Sequence, residues 1–242
     1  LAKEVGICKK EGTDASALLS EISNNKHTIE TMEETIKTLE ETLNKALMEL
    51  PNTPDDDVLP GDKENNQVVS TYGTKPVFSY EPKDHVMLSK ALKLVDYDRG
   101  TKLGGTGYWI YSNMGARLEW ALLNYFVEFH ISNGYEFMLP PHILNEESGY
   151  AAGQFPKFRE DVFNVSDGGF LIPTAETAII NIHRDEILPY EALPRKYFSY
   201  TPCYRREAGS HRAEERGTVR GHQFNKVEMF IFCEEESSDD AL

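Results

Sequence analysis

Tyr200-Thr201-Pro202-Cys203-Tyr204-Arg205-Arg206-Glu207, followed after a polar loop by Val219-Arg220-Gly221-His222-Gln223-Phe224-Asn225-Lys226-Val227-Glu228, decides the architecture of this chain. Both halves are rich in aromatic and β-branched residues, which suit a pleated, half-buried strand. Strands are therefore expected over residues 197–204 and 219–232, joined by a long loop at 208–218 that holds Gly209 and Gly217. Another strand-like run at 170–173 precedes them, leaving little room for crossover helices. That succession favours an α+β fold, an antiparallel sheet with helices on one side, over a doubly wound one. Upstream, the pattern predicts helices over 88–95 and 116–130 and short strands over 108–111 and 137–139.

The N-terminal part obeys a different period. Ile22, Ile29, Ile36, Leu43 and Leu50 recur every seven residues, with Leu18, Met32, Leu39 and Ala46 between them. This is a coiled-coil seam on one long helix over residues 15–50. The polar stretch 9–14 reads as a turn, with Thr13 or Asp14 a possible N-cap. A helix of this length needs a partner for its apolar stripe, and residues 1–8 are too few to supply one. The partner is then a missing strand of an antiparallel hairpin or another chain; a dimerising coiled coil with no other duty is the plain alternative. Pro51 and Pro54 stop the helix. The expected organisation is an arm at 1–50, an acidic, turn-rich linker at 51–72 and a globular domain at 73–242.

Of the 242 residues, 25 are Lys or Arg and 40 Asp or Glu, a net charge of −15. That balance by itself disfavours a nucleic-acid binder. It is uneven, however. Residues 195–226 carry eight positive side chains against three negative, a local balance of +5. A cationic island is where a polyanion would sit, and planar guanidinium forks suit phosphate oxygens. No run of about 18 apolar residues is present, so no membrane-spanning helix is expected. The three cysteines, Cys8, Cys203 and Cys233, are odd in number and far apart. They build neither a disulfide framework nor, with the scattered histidines, a zinc site, and point to a reducing compartment, expected to be the cytoplasm.

Within the island, Arg205 and Glu207 are two residues apart and so share a strand face, able to act on one ligand; a pair of surface ion pairs is the simpler reading. Thr174 and Glu176 in Ile172-Pro173-Thr174-Ala175-Glu176-Thr177 either open a helix with a capping box or line a pocket for a polar amine. Glu228 enters an otherwise apolar strand, at an edge or facing a cation. His222, between Gly221 and Gln223, has no nucleophile beside it and reads as a hydrogen-bonding structural residue. Gly104-Gly105-Thr106-Gly107 lacks the Lys-Ser/Thr of a phosphate-binding P-loop.

Taken together, Arg205-Arg206-Glu207, the arginine-bearing loop and His222-Gln223-Phe224 with Glu228 resemble motif 2 of the class II aminoacyl-tRNA synthetases. Gly134-Tyr135-Glu136-Phe137-Met138-Leu139-Pro140-Pro141 resembles their motif 1. Within that class the chain is similar to the seryl-tRNA synthetase family, through Pro51-Asn52-Thr53-Pro54, Glu81-Pro82-Lys83-Asp84-His85, Gly115-Ala116-Arg117-Leu118-Glu119, Gly153-Gln154-Phe155-Pro156-Lys157-Phe158, Ile172 to Glu176, Tyr200 to Ser210 and His222 to Glu228.

The resemblance implies roles. Arg205 would contact the α-phosphate of ATP and act in catalysis, Glu207 would read the adenine amino group and Phe224 would stack on the ring. Arg206, Gly221, His222 and Gln223 belong to the same ATP-binding segment, and Arg216 and Arg220 are weaker candidates for the phosphate end. Thr174, Ala175, Glu176 and Glu228 would bind L-serine, with no protein metal site. The implied substrates are ATP with Mg²⁺, L-serine and tRNA(Ser), and motif 1 implies a homodimer. It further implies a fragment lacking the first arm helix and motif 3, so the 242 residues alone are expected not to aminoacylate. Gly221 departs from the family's usual valine. The alternatives are a synthetase-like paralogue that charges a carrier protein and a non-catalytic coiled-coil binding protein.

Overall fold

The heptad pattern does form one helix. In the computed structural model, which describes residues 1–56, 58–207 and 217–242, α1 spans Ala2–Glu11 and α2 spans Ser16–Glu49. Both lie in the first of two compact units, Leu1–Leu59. The turn between them is shorter than the polar run 9–14, because Lys9, Lys10 and Glu11 continue α1 until Gly12, whose φ of 71° ends it. Asp14 does not cap by helix geometry. Ala15 is the N-cap residue, and Asp14 Oδ1 accepts the Ser16 backbone N–H at 2.9 Å. The ten residues of α1 do supply a short partner, and Val5 is buried. Beyond it the stripe stays open: Ile36, Leu39 and Leu43 are all more than half exposed.

The second unit is Pro60–Leu242. In chain order it contains α3 (His85–Ala91), β1 (Val95–Asp96), α4 (Tyr97–Gly104), β2 (Ile110–Tyr111), α5 (Met114–Ser132), β3 (Glu136–Met138), β4 (Ile143–Leu144), α6 (Glu146–Ala151), β5 (Phe170–Leu171), α7 (Glu176–Ile179), β6 (Arg195–Tyr204), β7 (Gln223–Phe232) and α8 (Ser238–Ala241). Helix starts follow side-chain chemistry: Asp84, Asp96 and Asn145 each accept a backbone N–H of the first turn.

The class is α+β, but the main sheet is mixed. Its order is β3-β6-β7, with β6 and β7 antiparallel over their full ten residues and β3 parallel to β6. A parallel pair needs a long connection, and the residues between Met138 and Arg195, with α6 and α7, provide one. Strand β7 also starts later than expected, at Gln223, since residues 219–222 form a turn and an approach to Gly107. Phe198, fully buried, stacks on Phe137 at 4.7 Å between ring centres and anchors β6 to β3. Leu144, Phe155, Val162, Phe170 and Ile172 form the core beneath the site, and Ala175, Ile179 and Tyr197 a second patch beside it. Among the described residues no helix is long and apolar enough to cross a membrane.

Candidate functional site

Strands β6 and β7 set the site by pairing small residues with large ones. Ser199, Thr201 and Cys203 of β6 are fully buried, and their cross-strand partners on the same face are Glu228, Lys226 and Phe224. Small side chains on one strand leave room for charged and aromatic ones on the next. Burial pushes the Cys203 thiol pKa up, so it stays protonated and fills space rather than attacking.

Arg205 follows directly on β6 and is held from three sides. Its backbone N–H donates to the His222 carbonyl at 3.0 Å, its Nε donates to the Pro173 carbonyl at 3.1 Å, and its guanidinium carbon lies 5.1 Å from the centre of the Phe224 ring. This one cation lines two cavities. The first, of about 240 Å³, is walled by Gln154, Asp161, Thr174, Glu176 and Lys226. The second, of about 470 Å³, is walled by Trp109, Glu119, Glu207, Arg220 and Phe224.

In the first cavity Thr174 has left the capping role open to it. Its hydroxyl donates to Glu228 Oε2 at 2.8 Å, across 54 residues of sequence, and accepts from Lys226 Nζ at 3.1 Å. The N-cap of α7 is Ala175, with no side-chain cap bond. Lys226 Nζ also pairs with Glu228 Oε2. In the second cavity Glu207 sits at a left-handed φ of 50°, only 14% exposed, and its carboxylate accepts from Arg220 Nη1 at 2.7 Å. Gly221 closes the wall. A Cβ there would stand 2.1 Å from the Trp109 ring, so the tryptophan takes the space that a larger residue would need.

Not every residue singled out by the sequence reaches a cavity. Arg206 turns away: its N–H donates to the Asp161 carbonyl at 2.7 Å and its guanidinium carbon lies 5.8 Å from the centre of the Phe163 ring. His222 packs against Tyr108 and Phe163, and its Nδ1–H donates to the Arg205 carbonyl at 3.0 Å; a carbonyl can only accept, which fixes the tautomer. Gln223 is exposed, and Ala175 is buried against Ile179 and Tyr197. Neither lines either of these two cavities. Glu228 lies behind Thr174 and Lys226. Arg212, Arg216 and Ala208-Gly209-Ser210 fall outside the described residues.

Among the polar side chains that line the cavities, Gln154, Asp161, Lys226, Glu119 and Asn225 were given no role by the sequence. For Lys226 the signal was available, since it stands two residues before Glu228 and shares its strand face. Glu119 had no such signal. It accepts from Asn225 Nδ2 at 3.1 Å, a bond that spans 106 positions. Asn225 Oδ1 in turn accepts from Tyr200 Oη at 3.1 Å, and burial first, then the charge of Glu119, raises the Tyr200 pKa.

Comparison with known proteins adds to this geometry. The family profile of the seryl-tRNA synthetase N-terminal domain matches residues 1–54, and that of the class II tRNA synthetase core domain (G, H, P, S and T) matches residues 163–242. The serine-tRNA ligase 2 of Clostridium acetobutylicum is 58% identical over the whole of this chain. The chain belongs to the seryl-tRNA synthetase family. It spans 58% of the length of that relative. Among solved structures, the seryl-tRNA synthetase of Pyrococcus horikoshii complexed with ATP aligns with a TM-score of 0.92 at 27% identity, covering 99% of this chain and 59% of that one. The cytoplasmic serine-tRNA ligase of Naegleria fowleri in complex with AMP aligns at 0.82 and 25% identity, covering 99% and 57%. Membership of the seryl-tRNA synthetase family accounts for both parts of the chain, the heptad arm as well as the sheet.

Proposed function

We propose that the protein is a cytoplasmic serine-tRNA ligase, with residues 1–50 as its tRNA-binding arm, 51–72 as linker and 73–242 as part of its catalytic domain. The observation that carries the reading is Arg205, a fixed guanidinium that lines both cavities at once. The smaller cavity, with Thr174 and Glu176, suits an amino acid; the larger, with Phe224 and Glu207, suits adenosine. An α-phosphate would then lie at Arg205, between the two. The ATP and AMP complexes of the structural relatives support a nucleotide there.

The chemistry needs position and charge more than a base. The serine carboxylate attacks the α-phosphorus, the bond to pyrophosphate breaks, and Arg205 offsets the charge that gathers on the phosphate oxygens. A terminal ribose hydroxyl of tRNA(Ser) then attacks the seryl carbonyl and AMP leaves. Among the described residues no three His, Cys, Asp or Glu side chains converge on a metal site. Mg²⁺ accompanying ATP would be held mainly by phosphate oxygens and water, as is usual for that ion.

A homodimer is part of the proposal. Leu118, Leu122, Tyr125 and Phe129 of α5 are 48–64% exposed, an apolar face that a second copy of the chain would cover. Sedimentation of the full-length protein checks this, with a monomer at micromolar concentration as the contrary result. The activity is tested by ATP-pyrophosphate exchange in the full-length protein with each amino acid in turn. Serine alone should support exchange; exchange with another amino acid instead would reassign the substrate, and none at all would remove the ligase reading.

A further inference from the structure

Of the two carboxylates that the family resemblance assigns to serine, Glu176 and Glu228, the second already has its partners. Glu228 Oε2 accepts from the Thr174 hydroxyl and pairs with Lys226 Nζ, while the same Nζ donates to Thr174 Oγ1 at 3.1 Å. The lysine ammonium therefore sits in the fork made by a hydroxyl and a carboxylate. A substrate α-ammonium seeks that same fork. Lys226, not Glu228, lines the cavity, so the lysine stands between the incoming ligand and its carboxylate. Its side chain is 33% exposed and that of Glu228 20%, leaving the lysine a path toward the open cavity. A second ammonium at the same Thr174 Oγ1 and Glu228 Oε2 would stand within a few ångströms of the lysine's, and like charges that close repel.

We propose that Lys226 is a built-in competitor for the amino-acid ammonium: it holds Glu228 in the ligand-free site, and substrate binds by displacing it. The inference rests on the ligase reading above. Keeping Glu228 paired avoids leaving a half-buried carboxylate without a partner, a state that is costly. Displacement also sets selectivity, since only a ligand with its own ammonium can replace the lysine; a hydroxy acid leaves it seated. The cost appears as weakened affinity, because the apparent dissociation constant rises by the reciprocal of the open fraction. A lysine seated in about nine-tenths of molecules weakens binding about tenfold.

The test is serine-dependent ATP-pyrophosphate exchange in the full-length protein. Lys226→Met should lower the KM for serine about tenfold with the KM for ATP unchanged, and serine should raise its melting temperature more than that of the parent. Lys226→Arg, which keeps a cation on Glu228, should restore a KM near the parent value. Lys226→Gln gives the same reading if the methionine variant does not fold. An unchanged or higher serine KM in a folded neutral variant overturns the inference and makes Lys226 a ligand of the substrate carboxylate or a purely structural residue. Exchange in the parent distinguishes the levels: serine-dependent exchange with an unmoved variant KM sinks only the lysine proposal, whereas no serine-dependent exchange in the parent sinks both.

Discussion

Helix α2 and strand β6 answer the same question in opposite ways. The helix has 34 residues and buries none of them; the strand has ten and buries Tyr197, Phe198, Ser199, Thr201 and Cys203. Both carry a regular apolar pattern. The helix closes its backbone hydrogen bonds within itself, so its shape is complete without tertiary contacts while its stripe is not. A strand has no such independence, because its hydrogen bonds belong to its neighbours. In this molecule the locally determined element is exposed, and the element that depends on distant residues carries the candidate chemistry.

The contrast can be broken by removing the same kind of group from each region. Phe198→Ala empties a fully buried position stacked on Phe137 and should cost about 3–5 kcal/mol of stability by chemical denaturation. Leu39→Ala, at a position 62% exposed, should stay within about 0.5 kcal/mol. A comparable loss at both would mean that the arm stripe is covered in solution. Next in size is Arg205→Ala, expected to reduce serine-dependent exchange by about 10²–10³ with little change in unfolding. Retained exchange would remove the cation shared by the two cavities from the mechanism.

The arm gives the converse case. Ile36→Asp places a charge on the open stripe, and serine-dependent exchange should not change; aminoacylation should show a KM for tRNA(Ser) raised by about tenfold, or about 1.4 kcal/mol. An equal loss in both assays would contradict a separable arm.

The smallest effect is a pH dependence in the sheet unit. His130 packs between Tyr135 and Phe198, its Nδ1 is buried without a hydrogen-bond partner, and burial lowers its pKa from the ordinary 6.5. The unfolded chain then binds the proton more readily than the folded one. Stability is full above the ordinary value and falls as pH drops through it toward the lowered one. His130→Gln should flatten that acid limb of the melting temperature, and an unaltered limb would assign it to the carboxylates.

Much of the site was legible because its residues stand close together in sequence. Phe224 and Glu228, four apart on β7, share a face by the period of two. Arg205 and Glu207 lie beyond the end of β6, and the left-handed turn at Glu207 rather than a strand period accompanies their meeting in one cavity. Thr174 escaped that logic. Its capping geometry was equally reasonable locally, and only the bond to Glu228, 54 residues away, shows which use the fold makes of it. Arg206 and Gln223 are the opposite case, neighbours in sequence of lining residues that themselves line neither cavity.

The sequence by itself determined the long heptad helix, the two-strand hairpin, the α+β class and the family, since each rests on short-range period or on consecutive residues. Only the tertiary structure decided that β3 joins β6 in parallel, that Arg205 serves two cavities, that Trp109 fills the space beside Gly221 and that Lys226 covers Glu228. Those facts depend on which distant side chains share a few ångströms, and a carboxylate's partner is set by that distance rather than by its place in the chain.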